Sequence, residues 1–198
     1  MGTALYAITN SKLTGDETKI HWDNILKQLQ QSDLSHSRHL DIENGQYVED
    51  NDEWEYYLDE KTDESPFQVY YSTPHTIAPY FFKKIGIIST IYRYSMLYRF
   101  AEFGWDKAVR MNIFKLVQIM GGTEIIYLAD NGSDKLSTYL ELMALENIPY
   151  EEIKTKMITE LGSPVTDYFD LDYSSLDYRN ITEFFLDDFK DFKNEKFS

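Results

Sequence analysis

Apolar and polar positions along this chain follow two periods, and the period in force at each stretch predicts its element. Ala4–Thr9 is a short run, apolar on both faces, and reads as a strand. Between Trp22 and Gln31 the residues Trp22, Ile25, Leu26 and Leu29 recur at i, i+3, i+4 and i+7. That spacing lines one face of a helix. Residues 33–46 are mostly polar. From Glu53 to Asp59 the period drops to two: Trp54, Tyr56 and Leu58 alternate with Glu53, Glu55, Tyr57 and Asp59. Phe67, Val69 and Tyr71 then alternate with Gln68, Tyr70 and Ser72. Successive strand residues face opposite ways, so both stretches read as strands, and Lys61–Pro66 joins them as an antiparallel hairpin over 53–72. Two prolines in Thr73–Pro79 disfavour any regular element there. That segment is the predicted division between a β-rich first part and a helical second part.

Downstream the helical period dominates. One helix is predicted over Ile87–Phe103, ending at Gly104, and another over Asp106–Met120 with Val109, Ile113, Leu116 and Met120 on one stripe. Gly121–Gly122 supplies its C-cap, because glycine tolerates the left-handed conformation that closes a helix. Thr123–Leu128, β-branched and apolar between the glycine pair and Asp130-Asn131-Gly132, reads as a strand. A helix over Asp134–Glu146 follows, with Ser133 as N-cap. Pro149 opens the next one, striped by Ile153, Met157 and Leu161 and stopped at Gly162-Ser163-Pro164. Asn180 and Glu183 form a capping box for a last helix through Phe192, carrying Phe185, Phe189 and Phe192. The predicted fold is α+β (or mixed α/β), a single domain over residues 1–198. It has a helix-rich middle and C-terminal half, more helix than strand, and a small sheet built from the N-terminal strand, the 53–72 hairpin and the 123–128 strand.

Charge changes the picture. The chain carries 19 Lys and Arg against 34 Asp and Glu, a net charge of −15. From Asp41 to Glu64 there are 11 acidic residues against Lys61 alone, a local net of −10. Such a block is ordinarily a solvated loop or insert. Here aromatics interleave with it. Residues Tyr80–Met120 reverse the sign to +5, and that basic stretch is expected to answer the acidic block within the same fold. A chain of this charge repels the phosphate backbone and anionic lipid, so nucleic acid and membrane are excluded as ordinary partners. The complementary partner is cationic. No cysteine is present, which removes disulfides, thiolate metal sites and cysteine nucleophiles, and fits a reducing cytoplasm. Met1–Ile8 has no cationic leader pattern, and no apolar run approaches the roughly 20 residues of a membrane span. The 14 Lys against 5 Arg suit a bacterial, AT-rich source.

Candidate chemistry is sparse. The turn after 123–128, Asp130–Asp134, stands where α/β folds hold phosphate, but it has one glycine and two carboxylates, which occupy the positive end that a phosphate would take. As a calcium loop it fails at its sixth position, which is Lys135 instead of glycine. Asp167, Asp170 and Asp172 read as a solvated acidic edge. His36 and His39 would share a side if helical, yet lack a third ligand. His75, in the proline-stiffened turn near Tyr70, Tyr71 and Tyr80, is the strongest candidate general base, with no nucleophile motif beside it. No catalytic residue, metal site or cofactor is assigned.

The aromatic content carries more. The 16 Tyr, 12 Phe and 3 Trp make 16% of the chain. Tyrosine hydroxyls need partners or water, so many of these rings belong at the core's rim or surface, where tyrosine and tryptophan dominate binding hot spots. The expected function is an acidic, cytoplasmic, inhibitory protein-binding protein that masks a basic partner such as a toxin, in the manner of an immunity protein. Its contact residues are expected to be Glu53, Trp54, Glu55, Tyr57, Asp59 and Tyr70. The alternatives are a small hydrolase or transferase using His75 with nearby carboxylates, a nucleic-acid mimic, and a homo-oligomer that buries its aromatic surface against itself.

Overall fold

The computed structural model describes residues 4–10, 19–31, 36–41, 46–51, 55–58, 67–72, 78–82, 84–93, 106–130, 148–167 and 182–192. Their strands are β1 (Ala4–Thr9), β2 (His36–Asp41), β3 (Gln46–Asn51), β4 (Glu55–Leu58), β5 (Phe67–Ser72), β6 (Ala78–Phe82), β7 (Gly86–Arg93), β8 (Ile125–Asp130) and β9 (Phe184–Asp187). Their helices are α1 (Lys19–Gln31), α2 (Asp106–Ile119) and α3 (Tyr150–Leu161). Seven strands form one sheet in the order β4-β5-β6-β7-β1-β8-β9, every neighbouring pair antiparallel, and β2 pairs with β3 separately. The fold class is α+β.

β1 lies at the middle of the sheet, which explains its continuous apolar run. Ala7 and Ile8, facing opposite sides, are both fully buried. One face carries Ile8, Phe82, Ile87, Ile126, Leu128 and Phe184, packed beneath Tyr150, Ile153 and Met157 of α3. On the other face Trp22 of α1 meets Phe81 edge-on, with ring centroids 5.8 Å apart. α2 packs on that same side, where its Phe114 lies 4.8 Å from Phe189. Trp22, Ile25 and Leu29 of α1 are buried, as its spacing requires, and Ile20, off that stripe, is 72% exposed. α1 has no acidic residue in its first turn and no basic residue in its last, so packing, not the helix dipole, holds it.

α2 ends as the glycine pair predicts. Gly121 takes φ 76°, its N–H donates to the Gln118 carbonyl, and the Gly122 N–H donates to the Val117 carbonyl at 2.8 Å. This is the double closure of a Schellman motif. Gly122 is also required by space: a Cβ there would run into Thr9 Oγ1 and stand 3.0 Å from Val117 Cγ1 and 3.1 Å from Asn10 Oδ1. α3 follows Pro149 as N-cap, carries Glu151 and Glu152 in its favourable first turn, and stops at Gly162 with φ 101°.

Four expectations are corrected. Ile87–Phe103 is not helical at its start, because Gly86–Arg93 is β7, paired on both sides. The run Ile87, Ile88, Thr90, Ile91 is β-branched and fits a strand covered on two faces. Nor does the last predicted helix form: Phe184–Asp187 is β9, with Phe184 under α3 and Phe185 stacked on Tyr127 across the sheet. The polar stretch 33–46 and the first part of the acidic block contain β2 and β3. Finally, Pro79 lies within β6, paired with Ile88; the described β5 ladder stops at Tyr80, so Pro79 is paired on one side only. The predicted helix over 134–146 lies outside the described residues.

Candidate functional site

Of the predicted contact residues, Glu55, Tyr57 and Tyr70 are described, and Glu53, Trp54 and Asp59 lie outside the described residues. The hairpin over 53–72 forms as β4 and β5. Its register sets Tyr57 opposite Tyr70, Tyr56 opposite Tyr71 and Glu55 opposite Ser72. Tyr70 in turn stands opposite Tyr80, Tyr80 opposite Ile87, Ile87 opposite Ile8, and Ile8 opposite Ile126. Directly opposed residues share a face of a sheet. A single row therefore runs from the buried isoleucines at the centre through three tyrosines to β4, the last strand on that side among the described residues. β4 begins and ends inside the −10 segment, so the acidic sequence and the aromatic row meet at one edge.

The other candidates do not assemble. His75 and residues 131–134 lie outside the described residues, and Asp130 closes β8 opposite Ala4. His36 and His39 are three apart in β2, and an odd separation puts two strand positions on opposite faces, so the helical pairing does not arise. Asp167 is exposed. No group of three or more His, Asp or Glu fit to hold a metal occurs among the described residues.

Two polar clusters were not anticipated from sequence. In the first, Arg110 on α2 is clamped between two carboxylates. Its Nε and Nη2 donate to Asp187 at 2.5 and 2.7 Å, and its Nη1 and Nη2 donate to Asp191 at 2.5 and 2.9 Å. The guanidinium lies 4.6 Å from the centroid of the Phe192 ring. Asp187 is 2% exposed and Asp191 is open to solvent. Asp187 Oδ1 also accepts the N–H of Phe189, whose φ of 54° is the one left-handed non-glycine conformation among the described residues. Phe189 and Phe192 are fully buried against Phe114, which offsets that strain. Burial opposes the Arg110 charge, but the two carboxylates outweigh it and hold its pKa above the ordinary value. Arg110 of the basic stretch is thus answered by the C-terminal segment.

The Arg110 hydrogen bond is the main reason the Asp191 carboxyl is held below its usual range. A depressed carboxylate adds stability above its unfolded pKa of about 3.9 and loses it as pH falls through the lower folded value. Asp191→Asn should therefore lower the urea midpoint at neutral pH. That deficit should shrink as pH falls below about 3.9, measured against wild type at each pH.

In the second cluster, Lys154 on α3 donates to Glu124 Oε1 at 2.7 Å, and its ammonium stands 6.0 Å from the Tyr150 ring centroid. Burial, with the nearby Glu124 carboxylate adding to it, pushes the Tyr150 hydroxyl pKa well above the ordinary value. Beside it, Asn10 Oδ1 accepts the N–H groups of Thr123 and Glu124, and Thr9 Oγ1 donates to the Glu124 carbonyl at 2.8 Å. These bonds lock the start of β8 to the end of β1. In both clusters the cation is paired within the fold, Arg110 by two carboxylates and Lys154 by Glu124. Comparison with protein-family models, with curated proteins and with solved structures finds no match.

Proposed function

We propose that this chain is an acidic, inhibitory protein-binding protein that masks a basic partner, as an immunity protein masks a toxin. The observation that supports this most is the coincidence at β4: the row Tyr57, Tyr70, Tyr80 runs out to the strand that lies within the −10 segment. Acidic residues would steer a cationic protein in, and aromatic residues would hold it. The contact set is Glu53, Trp54, Glu55, Tyr57, Asp59 and Tyr70. A cytoplasmic setting belongs to the same proposal and rests on the absence of cysteine.

The test is capture from the native host's lysate on immobilised protein, washed at low and then high salt. A single basic protein should be retained in stoichiometric amount and released by salt. The variant E53K/E55K/D59K should bind it at least about tenfold more weakly, since losing charge complementarity slows encounter, with its thermal midpoint nearly unchanged. A folded protein that retains nothing, or a variant with undiminished affinity, would overturn the reading.

A further inference from the structure

From the sheet order and the charge around its edge, we infer that β4 is the docking element itself, and that an extended, Lys- or Arg-rich segment of the basic partner adds to it as an antiparallel strand. This rests on the proposed masking function and specifies how it is done.

A strand at the end of a sheet presents a row of backbone N–H and C=O groups that a further strand can pair. Among the described residues β4 is bonded only to β5, which leaves its other side as that row. Proteins commonly guard such an edge with charge, and the sequence in which β4 lies carries a net −10. A guard of one sign is selective. It repels a second copy of this chain, whose own β4 lies in the same −10 segment, and it admits a strand of opposite charge. Among the described residues the edge is thus set against self-pairing and suited to a cationic strand. Main-chain bonds would supply affinity, and the alternation of the added strand would set its basic residues against the acidic ones.

The probe is a fluorescent peptide alternating Lys with Val. Its control has the same charge but proline in place of valine, which removes every second backbone N–H and fixes φ near −65°, away from the strand value. The alternating peptide should bind at least about tenfold more tightly than the proline control, and it should slow amide exchange at Glu55–Leu58. Adjacent strand N–H groups point to opposite sides, so Tyr56→Pro and Tyr57→Pro divide the two edges of β4. The variant whose lost N–H faced away from β5 should keep its thermal midpoint and lose the peptide. Equal binding of both peptides without protection at 55–58 would overturn strand addition and leave the acidic-surface reading standing. Binding of neither would overturn strand addition, while lysate capture judges the masking function separately. Protection of 55–58 that rises with protein concentration alone, together with a dimer by sedimentation, would make a second copy the occupant and overturn the cationic one.

Discussion

Arg110→Met should destabilise the protein by about 3–5 kcal/mol, the usual cost of leaving a buried charge without its partner. At about 2–4 °C per kcal/mol for a chain of this size, the thermal midpoint should fall by roughly 10 °C. The position of Asp187 sets the energy. That carboxylate is 2% exposed, so water cannot replace the guanidinium that Arg110 withdraws. Its Oδ1 still has the Phe189 N–H, but one amide does not neutralise a charge. The double variant R110M/D187N removes the charge while keeping an oxygen for Phe189, and it should recover a large part of the loss. Measured by thermal unfolding in a double-mutant cycle, the two changes should be far from additive. Additive losses would mean that the arginine contributes only packing against Phe192.

Trp22→Ala is the second large effect expected. Trp22 is 5% exposed and lies edge-on to Phe81, itself 1% exposed, at the contact that seats α1 on the sheet. Removing a buried tryptophan costs about 3–5 kcal/mol through lost transfer energy and an unfilled cavity. Ile25 and Leu29 are buried on the same face, and the helix ends carry no charges that favour the dipole, so this packed stripe holds α1. Ile20→Ala, two residues away on the opposite side of the same helix at 72% exposure, should change the urea midpoint hardly at all. A comparable loss from both variants would mean that α1 is seated by some surface other than the Trp22 stripe.

How much of this was legible in the sequence depended on whether a local pattern decided the element. α1, α2 and α3 each show a helical stripe bounded by recognisable stops, and each forms at the predicted place within a few residues. β1, the 53–72 hairpin and β8 were likewise readable from alternation or from a short apolar run between glycines. β7 and β9 were not. Ile87 and Ile88, like Phe184 and Phe185, are adjacent apolar residues facing opposite ways. Such pairs mean a strand only when both faces of the sheet are covered. The covering helices lie far away in sequence, so periodicity alone read both stretches as helix. The β-branched run after Gly86 was the signal that could have corrected the first; β9 carried none of that strength. The tyrosine row was half legible. Each strand's alternation was visible, but that Tyr57, Tyr70 and Tyr80 line up depends on register, which turns and bulges set. The Arg110 clamp was invisible for a plainer reason. Its partners lie at Asp187 and Asp191, in a segment predicted as helix, and no local rule links them to α2.

The central place of β1 also bears on how the molecule is made. Its partners are β7, where Ala7 meets Ile88, and β8, where Ile8 meets Ile126. The strand that completes the middle of the sheet is thus translated long before either neighbour exists. At about 5–20 residues per second, several seconds separate the emergence of Ile8 from that of Ile126. Until β7 follows, an apolar strand has neither of its neighbours, and its β8 edge waits out the whole interval. Loop-closure entropy is the barrier to both pairings, which favours slow, late consolidation over stepwise growth. The hairpins β4–β5 and β6–β7 join near neighbours in sequence and can form while synthesis continues. The ribosome-bound chain would then hold a meander waiting for its centre, with the aromatic row joined to the buried isoleucines of β1 and β8 only once β8 has been delivered.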